Sequence, residues 1–134
     1  MSFRGTYRLQ LGGELTFARA AQLVPYLAEL GVSHVYLSPS MQARSGSTHG
    51  YDVVDPTRIS EDLGGEEELR ALASAGLGVV LDIVPNHMAA SDENRFWHDR
   101  ELRAKFFDWD PRSGCYRRFF TIDDLAGEIG RAHV

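Results

Sequence analysis

The stretch DIVPNHM, residues 82 to 88, places three side chains capable of chemistry at the end of an apolar run. Asp82 stands inside LGVVLDIVP, where a carboxylate is costly unless a donor or a cation pairs with it. Asn86 can donate and accept hydrogen bonds, so it can hold a neighbouring loop or ligate a hard cation, and His87 can hydrogen-bond a sugar hydroxyl. The residues alone leave open a second interpretation, in which Asp82 makes a structural hydrogen bond and His87 lies on a surface loop.

A second polar stretch, GSTHGYDVVDP over residues 46 to 56, combines turn residues with a ring. Gly50 permits a tight turn, and Tyr51 offers a flat face on which the C–H groups of a sugar can stack. His49 and Asp52 flank the ring with donor and acceptor groups. For this motif alone, a polar surface loop with Tyr51 packed inward is the commoner outcome.

Other residue groups give weaker indications of function. The aromatic clusters NRFWHD and RRFF can line a groove, with Trp97 as the candidate, although core packing explains most such residues. No cysteines, histidines or carboxylates recur at a metal-ligand spacing, and no glycine motif for phosphate is present. The sequence therefore predicts neither a metal nor a cofactor.

The elements that position these residues follow from hydrophobic periodicity. Strands are predicted over residues 6–11, 33–39 and 78–84, helices over residues 16–30 and 65–76, and a long polar loop over residues 40–64. The last strand lacks alternation, which predicts burial on both faces. Alternating strands and helices indicate parallel crossover units, whose binding residues gather at the carboxyl ends of the strands. The fold class is therefore α/β.

The composition of the chain limits the classes of protein to which it can belong. The chain has 134 residues, enough for one domain with a modest core, and a net charge of −5, which argues against a nucleic-acid partner. Its single cysteine, Cys115, favours a reducing compartment. The N-terminus lacks the apolar core of a signal peptide, and no apolar run approaches the ~20 residues that span a membrane. We expect a cytoplasmic protein without a membrane partner.

Several motifs together resemble a known family. DIVPNH resembles the first signature of the α-amylase superfamily of glycoside hydrolases, and YLAELGVSHVYLSP resembles the entry to its second barrel strand. With GSTHGYDVVDP, TYRLQL and RRFFTIDDLAG, the set is similar to the maltooligosyltrehalose synthase family over residues 6 to 127. The resemblance implies an incomplete (β/α)₈ TIM barrel, of which this chain holds about three strands.

The resemblance also implies a reaction and roles for residues. The family isomerises the reducing-end α-1,4 bond of maltooligosaccharides to an α,α-1,1 bond by a retaining mechanism, and a maltooligosyltrehalose trehalohydrolase then releases trehalose. Tyr51 would stack on the sugar at the cleaved bond, and His49 and His87 would contact the same sugar. Asp82 would brace an arginine beside the nucleophile, Asp52 would support the site, and Asn86, which matches a calcium ligand of many amylases, is expected to be structural.

The same resemblance places the nucleophile, the general acid and the third catalytic carboxylate after the third strand. No carboxylate here matches them, so we expect no catalytic residue in this chain and no activity from it alone. The final IGRAHV resembles one translated frame of a sequencing adapter, which gives the hypothesis that residues 129–134 are not native; a natural divergent terminus is the alternative. The predicted division is 1–90 for the start of the barrel and 91–128 for an irregular excursion or small subdomain.

Two other functions stay open. The chain can belong to another glucan hydrolase or transferase of the α-amylase superfamily, or be a non-catalytic glucan-binding remnant.

Overall fold

The computed structural model describes residues 2–107, which fold around a three-stranded parallel sheet. The strands are β1 (Thr6–Leu9), β2 (His34–Leu37) and β5 (Gly78–Leu81), in the order β1-β2-β5. The predicted parallel strands with helical crossovers are confirmed. The first and last strands end earlier than predicted, so Asp82 lies just past β5, where its amide N–H donates to the carbonyl oxygen of Leu37 over 3.0 Å.

Two crossover helices join the strands. Helix α1 (Phe17–Glu29) starts after Thr16, whose hydroxyl oxygen accepts a hydrogen bond from the amide of Arg19. Threonine is among the residues preferred at this capping position. The helix continues through Pro25, although proline removes one backbone donor. Helix α2 (Gly65–Ala73) carries three glutamates in its first turn, where their negative charges interact favourably with the positive end of the helix dipole.

The core lies between one face of the sheet and these helices. Alternation along the strands sends one set of side chains toward α1 and α2. The buried cluster that results includes Leu9, Phe17, Leu27, Val35, Leu37 and Leu72. The opposite face carries Arg8, Tyr36 and Val80 in register across β1, β2 and β5. The sheet therefore has one apolar face and one that can bear polar groups.

The expectation of a loop over residues 40–64 is wrong. This segment forms an antiparallel hairpin of β3 (Met41–Ala43) and β4 (Val53–Ile59), followed by a 3₁₀ turn at Glu61–Leu63. Strand β3 has only three residues, and its pairing with β4 shifts register twice, so no periodic pattern marks it. The buried valines at the start of β4 anchor the hairpin to the rest of the molecule.

The expectation that the last strand is buried on both faces is also wrong for the described residues. Leu81 is 41% exposed and Ile83 is 64% exposed. The reason is that β5 pairs with β2 on one side and lies at the edge of the described sheet. A continuous apolar run indicates a strand that other elements can bury on both faces, but the run does not show whether such elements are present.

Two short helices follow, α3 (Arg95–His98) and α4 (Arg100–Phe106). Trp97 is 8% exposed and packs edge-on against Phe107 at 5.1 Å, so core packing and not a groove explains it. No helix in residues 2–107 is long and apolar enough to cross a membrane. The RRFF cluster, Cys115 and residues 129–134 lie outside the described residues, and the division into 1–90, 91–128 and 129–134 stays a prediction.

Candidate functional site

The hairpin brings Tyr51 to the carboxyl ends of the strands. Just before it, Gly50 has φ of +79°, and a Cβ at this position would lie 2.7 Å from the carbonyl oxygen of Pro39, two residues past β2. Only glycine allows the loop to pass this close with this backbone angle. The glycine that the sequence marks as a turn residue therefore seats the loop on the end of the sheet.

The hydroxyl of Tyr51 is held from two sides. It donates to Oδ2 of Asp82 over 2.6 Å and accepts a hydrogen bond from Nη2 of Arg8 over 3.2 Å. The hydrogen bond to Asp82 is the main cause that raises the pKa of the Tyr51 hydroxyl, which therefore stays protonated at neutral pH. The hydroxyl thus uses its proton with Asp82 and accepts from Arg8, so the ring face is the part of Tyr51 left to contact a ligand.

Asp82 has the donor and the cation that the sequence predicts for a carboxylate at this position. Besides Tyr51, its Oδ2 lies 4.0 Å from Nη2 of Arg8. Its second oxygen, Oδ1, makes no hydrogen bond within residues 2–107. Because a carboxylate can accept several hydrogen bonds, Asp82 keeps capacity for a further donor.

Arg8 and Gln10 are site residues that the sequence interpretation did not single out. Arg8 donates through Nη1 to Oε1 of Gln10 over 2.8 Å, and its guanidinium lies 5.5 Å from the centre of the Tyr36 ring. Gln10 in turn donates to the carbonyl oxygen of His49 over 3.3 Å. The alternation of TYRLQL, which places Arg8 and Gln10 on one face of the chain, is the signal that could have found them.

His49 and Asp52 lie on either side of Tyr51. The rings of His49 and Tyr51 stack with centres 6.0 Å apart and planes inclined by 22°. Nδ1 of His49 accepts a hydrogen bond from the Tyr51 amide over 3.0 Å, so a neutral His49 carries its proton on Nε2 and can donate it to a ligand. Asp52 is buried, accepts a hydrogen bond from the hydroxyl of Ser47 and lies 3.8 Å from Nδ1 of His49.

His87 reaches the same loop from the segment after β5. Its Nε2 donates to the carbonyl oxygen of Tyr51 over 3.0 Å, and its Nδ1 lies 3.2 Å from Oδ1 of Asn86. His87 therefore supports the backbone of Tyr51, and Asn86 lies next to its other ring nitrogen. All six residues singled out from the sequence thus lie around one ring. Tyr51, His49 and Asp82 form the ring and its rim, whereas Asp52 contacts His49, His87 contacts the Tyr51 backbone and Asn86 lies next to His87.

This arrangement is suited to binding a sugar. An aromatic face can take the C–H side of a pyranose, while a histidine donor and a carboxylate acceptor at its rim can take hydroxyl groups. Within residues 2–107, no group of three or more His, Cys, Asp or Glu side chains could hold a metal ion.

Comparisons with known proteins agree on a family. Residues 17–123 match the family described as "Alpha amylase, catalytic domain". The chain is 46% identical over 134 residues to a Mycobacterium tuberculosis protein named "Putative maltooligosyl trehalose synthase", with 92% of this chain and 17% of that protein covered. It is 33% identical over 119 residues to the 1,4-alpha-glucan branching enzyme GlgB of Vibrio parahaemolyticus, with 86% and 15% covered.

The solved structures point the same way. The structure of maltooligosyltrehalose synthase from Arthrobacter ramosus is 50% identical and superposes with a TM-score of 0.68. The match covers 70% of this chain and 13% of that one. The chain thus spans about a sixth of the length of the first curated relatives it matches, with 17% of their length covered.

Proposed function

This chain belongs to the α-amylase catalytic-domain family, and we propose that it forms the substrate-stacking part of an enzyme that makes maltooligosyltrehalose. Its parallel β1-β2-β5 sheet is the beginning of the (β/α)₈ barrel of that family. The enzyme would isomerise the reducing-end α-1,4 bond of a maltooligosaccharide to an α,α-1,1 bond. The identity of 46–50% to maltooligosyl trehalose synthases supports this substrate and product over others in the family.

The observation that carries the proposal is the fixed Tyr51 ring. Because Arg8 and Asp82 hold its hydroxyl and His87 holds its carbonyl oxygen, the ring face is set before any ligand arrives. Pre-organisation of this kind lowers the entropic cost of binding. We propose that Tyr51 stacks on the sugar at the cleaved bond, that Nε2 of His49 donates to one of its hydroxyls, and that Asp82 uses Oδ1 to brace a cationic group of the complete site.

The reaction needs groups that we do not assign to this chain. In a retaining mechanism, a carboxylate attacks the anomeric carbon while a carboxylic acid protonates the leaving oxygen. The glucose released in that step would then attack the intermediate through its own anomeric hydroxyl. That order requires the site to exclude water until the second bond forms. We propose that residues 1–134 alone bind maltooligosaccharides without converting them, and that in the cell a cytoplasmic trehalohydrolase takes the product of the complete enzyme.

A second function in the same superfamily has one observation in its favour. The identity of 33% to a branching enzyme is high enough to keep transfer between glucan chains open. In that case the complete enzyme would move a chain to a new acceptor and would not consume reducing ends. Both alternatives share the stacking role of Tyr51, so binding alone cannot separate them.

Two experiments test the proposal. Calorimetric titration of the 134-residue chain with maltopentaose is expected to show binding that Tyr51→Ala abolishes. Tyr7→Ala is the matched control, because Tyr7 is a 45% exposed tyrosine on β1 without a role in the site. Absence of binding by the wild-type chain would contradict the proposal.

The second experiment separates the two reactions. A chimaera would carry residues 6–107 in place of the matching segment of the Arthrobacter ramosus synthase. Incubation with maltopentaose is expected to remove reducing ends without releasing shorter maltodextrins. A folded chimaera that leaves the reducing ends unchanged would favour the transferase alternative instead.

A further inference from the structure

A cavity of about 310 Å³ lies beside the site, behind the loop that carries Tyr51. Its wall comes from the segment after β1, from the β2–β3 region, from the loop before Tyr51 and from the 3₁₀ turn. Ser47, Thr48 and Gly50 line it, whereas His49, Tyr51 and His87 do not. The loop over residues 47–50 therefore separates the cavity from the Tyr51 ring.

One side chain on this wall has an unmet hydrogen bond. Nε of Arg44 is shielded from solvent and has no hydrogen-bond partner, the one such buried side-chain nitrogen or oxygen within residues 2–107. No carboxylate of those residues lies within ion-pairing distance of Arg44. A shielded donor without a partner costs free energy, and native proteins rarely retain one without a reason.

The backbone of Arg44 is held firmly, so this unmet donor is not the result of a loose loop. Its amide donates to the carbonyl oxygen of Asp52 over 3.1 Å, and its own carbonyl oxygen accepts from Ser47 over 3.0 Å. The next amide, of Ser45, donates to Oε2 of Glu93 over 2.8 Å. The turn is thus fixed by three hydrogen bonds while the guanidinium it presents lacks an acceptor.

The chemistry of the wall indicates the class of ligand. Arg44 is its one cationic residue and Asp62 its one anionic residue, among the residues described as lining it. A phosphate or carboxylate would meet the charge of Asp62, whereas a neutral polyhydroxylated ligand can accept from Arg44 and donate to Asp62. The volume is near the lower end of the roughly 300–1,000 Å³ of small-molecule pockets, which suits one sugar unit better than an extended chain.

We propose that this cavity is a second sugar subsite, which holds a glucosyl unit of an α-1,4-glucan through the Arg44 guanidinium and the Asp62 carboxylate. The inference rests on the proposed glucan substrate and adds a contact outside the Tyr51 ring. A chain that spans both places would gain affinity from Arg44 without any contact of Arg44 with the reacting bond.

The test uses the 134-residue chain and four variants, one of them the Tyr51→Ala variant described above, titrated with maltotriose. Arg44→Met keeps the aliphatic stem and removes the donors, and Arg58→Met is the control, since Arg58 is an exposed arginine of β4 in the same hairpin. We expect Arg44→Met to weaken binding about tenfold or more, the loss of a charge-assisted hydrogen bond, and Arg58→Met to leave it unchanged. Asp62→Asn, which preserves shape, should also weaken binding and serves if Arg44→Met does not fold.

Amide resonances locate the ligand independently of any variant. On titration of the wild-type chain with maltotriose, the amides of Gly13 and Gly46, which line the cavity, are expected to shift. If Tyr51→Ala abolishes binding while Arg44→Met and Asp62→Asn bind as wild type, the inference is overturned and the proposed function stands. If the wild-type chain does not bind maltotriose, both fall. If inorganic phosphate shifts these amides and maltotriose does not, the cavity is an anion site and the sugar inference is wrong.

Discussion

The contact between Gly50 and Pro39 couples the fold to the site, and Gly50→Ala tests that coupling. Two costs are expected from the structure. The φ of +79° is unfavourable for a residue with a Cβ, at about 1–2 kcal/mol. The new methyl group would also lie 2.7 Å from the carbonyl oxygen of Pro39, a backbone atom that cannot rotate away, so the loop has to move.

Gly46→Ala is the matched control, because it separates the two costs. Gly46 belongs to the same loop and has φ of +74°, but nothing lies within 4 Å of the position its Cβ would take. It should therefore show the backbone cost alone. Gly50→Ala should be less stable than Gly46→Ala by roughly 1–3 kcal/mol, the usual cost of overpacking.

Urea unfolding followed by circular dichroism measures the free energy of unfolding of both variants, and maltopentaose titration measures the effect on the site. We expect Gly50→Ala to lose most glucan affinity, because the loop that moves carries Tyr51. Gly46→Ala should lose less of it, because the added methyl group leaves the contact with Pro39 intact. If both variants unfold at the same urea concentration and bind equally well, the loop is not seated by the Pro39 contact and the reasoning is refuted.

Three further predictions use simpler measurements. The buried Ser33 hydroxyl accepts hydrogen bonds from the amides of Arg4 and Gly5, so Ser33→Ala should lower the free energy of unfolding in urea by about 1–3 kcal/mol. Ser45→Ala, at an exposed serine, should change it little. Absorbance titration at alkaline pH should show Tyr51 ionising above the ordinary value of 10.0, and Asp82→Asn should bring it down. Because folding raises this pKa, its stabilisation is complete below pH 10 and is lost as pH rises through the higher folded value. Asn94→Ala removes the cap of α3 and a hydrogen bond to the Ala89 carbonyl, and should reduce helix content measured by circular dichroism; an unchanged spectrum would contradict this.

The main elements could be predicted because each carries its own local signal. The apolar spacing of α1, its Thr16 cap and the apolar runs of β2 and β5 all lie within short windows of sequence. The hairpin of β3 and β4 could not, since three residues paired with two register shifts give no period to detect. The exposure of β5 depends on what covers a strand, which no local pattern contains.

The site residues show the same difference between what local sequence predicts and what it does not. Tyr51, Asp82 and His87 could be singled out as residue types beside turns and strand ends. Their mutual geometry could not, because the contacts join residues 31, 36 and 43 positions apart. Arg8, the second partner of the Tyr51 hydroxyl, was missed for that reason: on its own strand it is an ordinary polar residue of an alternating pattern.

These sequence separations also bear on the time course of folding. The Tyr51 hydroxyl needs β1 and the end of β5 in place together, which requires both crossover connections to close first. Contacts between distant residues form late, since the chain must first lose the entropy of the intervening loops. In refolding, helix signal should therefore recover before Tyr51 reaches its final environment. A ring that is assembled last is also the first to be lost, so glucan affinity should vanish at lower urea concentrations than the helices do.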